Sequence, residues 1–224
     1  QILPPGDIRN CLVALSRSES LLSRLFQYRF GEGGEIEGHS FGNLFIAAMT
    51  GVIGDFSSAV REASSILAIK GHVIPVTNEN VQLVARFEDG SEITGETAIS
   101  DARRRIFSIS LNPEAPAPNQ EALSAIDDAN MIVLGPGSLF TSVIPNLLVP
   151  GVAERINNSH ARVVYICNVM TQPGETDSFN AADHVRAILE KTTLQRIDIV
   201  VVNSRRAAKP LMARYENRNQ FWVP

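Results

Sequence analysis

The residues with the clearest chemical purpose lie in Met131-Ile-Val-Leu-Gly-Pro-Gly-Ser-Leu-Phe-Thr-Ser142. Four apolar residues read as a buried strand. Gly135, Pro136, Gly137 and Ser138 follow as a turn, and an apolar-periodic helix begins past Pro145. A strand, a glycine-rich turn and a helix N-terminus together form an anion site. Glycine lets backbone approach a ligand, and the first helical N–H groups lack partners of their own. The chemistry expected is the holding of a phosphate; the same residues also suit a plain strand-to-helix turn. Thr141 and Ser142 can cap the helix or offer hydroxyls to phosphate oxygens. The Asn146 amide can meet a ligand or a neighbouring backbone group. The turn is not a P-loop, because it lacks the Gly-Lys-Ser/Thr ending, and it is not a dinucleotide fingerprint. Ser138 is not flanked as a nucleophile elbow requires. No Ser/His/Asp order supports a hydrolase triad, and no carboxylate pair has glycosidase spacing. Binding is therefore better supported than catalysis.

Two further strands are expected to end in polar residues. One runs into Asn168 and then Met170-Thr-Gln-Pro-Gly-Glu-Thr-Asp177; the other runs into Asn203-Ser-Arg205. In open parallel sheets, ligands bind beyond the carboxyl ends of the strands. Asn168 and Asn203 carry both donor and acceptor, which suits a nucleobase or sugar and equally suits tying loops together. Thr171 and Arg205 are secondary candidates on the same loops. Thr176, Asp177 or Ser178 is expected to cap the next helix. Asp7 suits a helix cap, or a Mg²⁺ ion bridging a diphosphate, since hard carboxylate oxygens suit that ion. His39 and Asn43, four residues apart, would share a helical face.

The elements that must position these residues fall into two textures. Up to Gly71 the pattern is helical. Helices are expected from Asp7 to Leu15, around Leu21–Phe26, from Ser40 to about Val52, and after a cap at Asp55. Then strands are expected at His72–Val76, Val81–Phe87, Glu92–Thr94 and Ile106–Leu111, with Glu88-Asp89-Gly90 as a hairpin turn. The last third alternates: strands Met131–Leu134, Arg162–Cys167 and Asp198–Val202, and helices Asn146–Asn158, Ser178–Lys191 and Ala207–Tyr215. Continuous apolar strands between helices indicate a parallel sheet covered on both faces.

The 224 residues suit one large domain; 44% are hydrophobic and 20% charged, enough for a sizeable core. A net charge of −4 and the lack of an aromatic-interleaved basic stripe argue against nucleic acid as partner. No apolar run approaches the roughly 20 residues that span a bilayer. Cys11 and Cys167 sit in apolar runs and read as buried free thiols of a reducing, cytoplasmic compartment. The opening Gln1-Ile-Leu-Pro-Pro-Gly-Asp7 reads as a chain whose beginning was removed.

Four stretches resemble the YvcK group of the CofD-like superfamily, whose members carry the label gluconeogenesis factor. They are Leu3-Pro-Pro-Gly-Asp-Ile-Arg-Asn10, Glu37-Gly-His-Ser-Phe-Gly-Asn-Leu44, Leu134-Gly-Pro-Gly-Ser-Leu-Phe-Thr-Ser142 and Cys167-Asn-Val-Met-Thr-Gln-Pro-Gly-Glu-Thr-Asp177. They occur in the family's order and span most of the chain. The resemblance implies an α/β, Rossmann-like three-layer fold, with a mostly parallel sheet and an inserted β-hairpin, over residues 1–224 as a single nucleotide-binding domain. It implies UDP-sugar binding and links to carbon metabolism, cell wall and cell shape. The related CofD enzymes use Mg²⁺ to transfer a phospholactyl group from a guanosine-diphosphate donor to a deazaflavin alcohol. They show a Gly-Asp-Arg-Asp type motif, whereas here Gly6-Asp7 precedes Ile8-Arg9-Asn10, which favours the YvcK side. The family's opening Gly-Gly-Thr-Gly loop and Asp-Asp-Gly-Gly-Ser-Ser-Gly segment are not in this sequence. The resemblance therefore implies a chain that lacks the first strand and half of a phosphate site, and that stops before the last family element. A separate expectation is a homo-oligomer joined through the 81–94 hairpin, since edge strands invite pairing.

Overall fold

The computed structural model describes residues 6–16, 21–31, 33–34 and 36–224. The turn expected at Pro4-Pro5 lies outside them. The chain divides into two compact units, Gln1–Asn80 and Val81–Pro224.

The described elements of the first unit are helices: α1 (Gly6–Leu15), α2 (Leu21–Gln27), α3 (Phe41–Ile53) and α4 (Phe56–Ile66). Their apolar faces meet in a core of Leu12, Phe26, Ile46, Phe56, Val60, Ala63 and Leu67. Gly42 makes the packing possible. A β-carbon there would lie 2.7 Å from the Phe26 carbonyl oxygen and 2.9 Å from Arg9 Cγ. Ser40 caps α3 by accepting from the Asn43 N–H at 3.2 Å, and Asp55 caps α4 by accepting from the Ser58 N–H at 2.7 Å. The strand expected at 72–76 does not form. These residues pair with no described strand, and an extended run without a partner leaves its ladder groups to solvent.

The second unit holds two sheets rather than one mostly parallel sheet, which corrects the sequence-based expectation. In the first, β1 (Gln82–Phe87) pairs antiparallel with β2 (Glu92–Thr94) and with β3 (Ile106–Asn112), in the order β2-β1-β3. The expected hairpin is thus two strands of a three-stranded antiparallel sheet. The physical reason is visible in β3, where Ile109 and Leu111 are buried while Phe107 and Ser110 are exposed. That alternation belongs to a sheet with one solvated face. In the second sheet, β4 (Met131–Leu134), β5 (Arg162–Ile166) and β6 (Ile199–Val201) run parallel in the order β4-β5-β6, with Val133 opposite Val164 and Val164 opposite Ile199. The general α/β character holds, with parallel and antiparallel parts kept apart.

Helices of this unit are α5 (Glu96–Ala102), α6 (Gln120–Asp127), α7 (Ile144–Leu148), α8 (Val152–Asn158), α9 (Ala181–Lys191) and α10 (Lys209–Glu216). The single helix expected over 146–158 is broken at Pro150-Gly151. Proline lacks the N–H that a continuing helix needs, and Gly151 takes φ +85°. Helix α5 was not anticipated; its cap position, Gly95, makes no side-chain cap bond. Helix α9 starts at Ala181 rather than Ser178, because Asn180 and Asp183 form a reciprocal capping box there.

Candidate functional site

The turn after β4 is built as its sequence suggests. Gly135 takes φ +79°, and a β-carbon on it would lie 3.1 Å from the Ile166 carbonyl oxygen of the neighbouring strand end. The Gly135–Pro136 peptide is cis. Next comes a π-helical turn, Leu139–Val143, that runs into α7. Such wide turns recur at functional sites. Its cap is Ser138, not Thr141 or Ser142: the Ser138 oxygen accepts from the Thr141 N–H at 3.3 Å and from the Thr141 hydroxyl at 2.7 Å.

The helix N-terminus already faces an anion, and it is the chain's own. Ser138 donates its hydroxyl to the carboxylate of Glu175, which also accepts from the Phe140 N–H. Glu175 is 6% exposed. Burial pushes its carboxyl up, against the opposing pull of the Ser138 hydroxyl and the Phe140 N–H. The positive end of the helix offsets part of the cost of burying this charge. These bonds occupy the N–H groups of Phe140 and Thr141, while those of Ser142 and Val143 go to the Ser138 carbonyl. The N–H groups of Ser138 and Leu139 are not taken up by any of them. With its hydroxyl held on three sides, Ser138 is placed to shape the turn, not to attack a substrate.

Asn168, at the end of β5, ties this turn to the next loop. Its amide nitrogen donates to the Gly137 carbonyl at 2.8 Å and to Gln172 Oε1 at 3.3 Å, and its oxygen accepts from the Gly137 N–H at 3.4 Å. The loop is further pinned from within. Thr176 Oγ1 accepts from the Gln172 N–H at 2.9 Å, and Asp177 accepts from the Gly174 N–H at 2.7 Å. Thr176 and Asp177 therefore serve the loop itself and not the α9 cap.

Thr171 is 2% exposed and binds the last residues of the chain. Its N–H donates to the Phe221 carbonyl at 2.7 Å, and its hydroxyl accepts from the Phe221 N–H at 2.9 Å. The Val223 N–H donates to the Val169 carbonyl at 3.0 Å, and the Pro224 carbonyl accepts from the Ala181 N–H at 3.1 Å. Asn203 and Arg205, beyond β6, form their own small turn: the Asn203 amide donates to the Arg205 carbonyl at 2.8 Å and accepts from the Arg205 N–H at 3.1 Å. Asn146 is exposed on α7, and its amide donates to the Ser142 carbonyl at 2.7 Å. The structure thus joins Gly135–Ser138, Thr141 and Asn168 in one bonded network. Asn203 and Arg205 sit at the same end of the parallel sheet without entering it.

Beside this network lies a fully buried pair. Tyr165 of β5 and His184 of α9 meet at 2.9 Å between the phenol oxygen and Nδ1. Burial holds the phenol well above its ordinary range, so it stays protonated. The other ring nitrogen, Nε2, is buried without a partner among the described residues. Burial pushes the His184 pKa down, with Asp183 pulling it up. Cys167 is buried, while Cys11 is exposed, contrary to the expectation that both are buried.

In the first unit, Asp7 is exposed in the first turn of α1, which begins at Gly6, so it is not the cap. His39 is exposed and precedes α3, so it shares no helical face with Asn43. Asn43 Oδ1 and Arg9 Nε are both buried without a partner among the described residues. No group of three or more His, Cys, Asp or Glu side chains is placed to hold a metal ion among the described residues. No described helix is long and apolar enough to cross a membrane.

Sequence reasoning missed Glu175 and Gln172. Both stand in a stretch it singled out, but a carboxylate beside Gly174 and Thr176 reads as loop polarity. Only the fold reveals that it turns inward to a helix N-terminus.

Comparison with known proteins places this geometry in a family context. Residues 1–224 match the family described as 2-phospho-L-lactate transferase CofD. The chain is 48% identical over 214 residues to a gluconeogenesis factor of Halalkalibacterium halodurans, covering 96% of this chain and 66% of that protein. It is 47% identical over 216 residues to the gluconeogenesis factor of Bacillus subtilis, covering 96% of this chain and 68% of that one. A crystal structure of a member of the UPF0052 family from Bacillus halodurans superposes with a TM-score of 0.91 at 47% identity, over 98% of this chain and 71% of that chain. The chain spans about two thirds of the length of these curated relatives.

Proposed function

The chain belongs to the gluconeogenesis-factor (YvcK, UPF0052) family of the CofD-like superfamily, and from that premise we propose that it is a nucleotide-sugar-binding regulator tied to carbon metabolism. The observation that carries this reading is the bonded network at the ends of β4 and β5. Glycine backbone, the Ser138 and Leu139 N–H groups, which have no backbone partner among the described residues, and an asparagine brace suit a diphosphate. The same network holds no free nucleophile, since the Ser138 hydroxyl and the Glu175 carboxylate are engaged with each other. The nucleotide is a UDP-activated sugar, and the output bears on cell wall and cell shape. Calorimetry of the full-length protein with UDP-N-acetylglucosamine and with GDP tests this. Saturable heat with the UDP-sugar is the expected result; GDP binding with no heat from the UDP-sugar at millimolar concentration overturns it.

One observation favours a second reading: the matching family is described as a transferase. In that reading the protein moves a phospholactyl group from a guanosine-diphosphate donor to a deazaflavin alcohol, with Mg²⁺. Asp7 is the candidate ligand for that ion. A single carboxylate is enough for Mg²⁺ when substrate phosphates and waters complete its shell. Product formation on the deazaflavin alcohol at high protein concentration would establish this reading in place of the first.

A further inference from the structure

A cleft of about 630 Å³ opens beside the phosphate-binding turn, between the end of α5, the loop after β5 and the residues after α10. That volume falls within the roughly 300–1,000 Å³ of small-molecule sites. Asp101, Arg103, Gln172, Glu175, Arg218 and Gln220 contribute to its walls. None of these residues was a candidate binding residue in the sequence, and the diphosphate reading does not use the cleft.

We propose that this cleft holds the sugar of the nucleotide sugar, binding its hydroxyls through Asp101, Gln172 and Gln220. The assignment rests on the nucleotide-sugar reading and adds where the neutral end of the ligand lies. Three features of the cleft support it. The first is charge balance. Arg103 and Arg218 line the cleft together with Asp101 and Glu175, so its formal charges balance. Paired acids, amides and guanidiniums instead offer alternating acceptors and donors, which match a ring of hydroxyls.

The second is continuity with the turn. Glu175 lines the cleft and bonds Ser138. Gln172 lines the cleft and accepts from Asn168, the same amide that holds the Gly137 carbonyl. A diphosphate on the turn would direct its sugar toward side chains already joined to that turn.

The third is rigidity. Gly174 lies between Gln172 and Glu175 and packs on the backbone of Arg103, a non-glycine residue held at φ +47°. Such left-handed residues persist where surrounding structure over-determines them, and they cluster at ligand sites.

Calorimetry of the full-length protein with UDP-N-acetylglucosamine and with UDP, on wild type, Asp101→Ala and Gln220→Ala, tests the assignment. The variants are first checked for an unchanged urea midpoint, and the test rests on the other variant if one fails. Each should bind UDP-N-acetylglucosamine about tenfold more weakly, the worth of one or two lost hydrogen bonds, and UDP within about twofold of wild type. Unchanged affinity for the UDP-sugar, or equal weakening for both ligands, overturns the cleft assignment while the nucleotide-sugar reading stands. Wild type that binds UDP but not the UDP-sugar overturns both.

Discussion

Gly174 sits directly on the backbone of Arg103. A β-carbon on Gly174 would lie 2.4 Å from the Arg103 carbonyl carbon and 2.5 Å from the Arg104 nitrogen, and the residue itself takes φ +83°. Neither partner can yield, because both are main chain, and the Ile106 N–H donates to the Gly174 carbonyl at 3.3 Å. Gly174→Ala should therefore cost about 2 kcal/mol or more, from overpacking and left-handed strain together. Urea denaturation reads this directly, and an unchanged midpoint would show that the corner relaxes freely.

Glu175 offers a test that separates charge from hydrogen bonding. Glu175→Gln keeps an acceptor for Ser138 and the Phe140 N–H while removing a buried charge, so stability should change by less than about 1 kcal/mol. Glu175→Ala leaves a buried N–H and hydroxyl without their acceptor and should cost about 2–3 kcal/mol. Equal losses in the two variants would contradict the account. The pH dependence has a definite sign. The carboxyl pKa is raised on folding above its ordinary 4.5, so its contribution is fully present below pH 4.5. It is lost as pH rises through the folded value. Glu175→Gln should abolish that component of the stability–pH curve.

His184 acts in the opposite direction. Burial lowers its folded pKa below the ordinary 6.5, so the folded state takes up a proton less readily than the unfolded chain. Stability should fall as pH drops below about 6.5 and level off only beneath the folded value. Thermal melts from pH 7.5 to 5 on wild type and His184→Gln should show a steeper loss in wild type. Parallel curves would mean that the imidazole is not the titrating group.

Arg196 closes the far end of the parallel sheet. Its guanidinium donates to the Ser159 carbonyl at 2.8 Å and the Ala161 carbonyl at 3.0 Å, and pairs with Asp198 at 2.8 Å. One fork thus satisfies carbonyls just past α8 and a carboxylate that itself accepts from the Val163 N–H at 2.7 Å. Arg196→Lys cannot reproduce that fork, so it should destabilise nearly as much as Arg196→Ala, by about 1–2 kcal/mol. Full rescue by lysine in chemical denaturation would show that charge alone matters.

Much of this architecture was legible from residue pattern. The continuous apolar runs at 131–134 and 162–166 became paired parallel strands, and Asp55 capped its helix as its residue type suggests. What was not legible has common causes. The alternation of 106–112 specifies a half-solvated strand but not its partner, so the antiparallel sheet went unseen as a sheet. His72–Val76 has strand-like residues, yet pairing is non-local and no described strand meets it. Helix α5 opens at Gly95 without a side-chain cap, and so without a signal. In the site, the turn and Asn168 were foreseeable because glycine and asparagine advertise their roles. Glu175 was not, because an inward-facing carboxylate looks the same on paper as a solvated one.

The contact between Thr171 and Phe221 closes a non-covalent ring. It joins residues 50 apart in sequence, and α9, β6 and α10 all lie inside it. Opening such a ring releases the conformational entropy of everything it encloses, so its closing bonds should break in concert, not singly. Native-state hydrogen exchange should therefore find the Thr171 and Val223 amides leaving protection together, with matching free energies. The wall of the cleft formed by residues 217–220 hangs on this clasp, so the lifetime of the pocket is set by a fastening outside it.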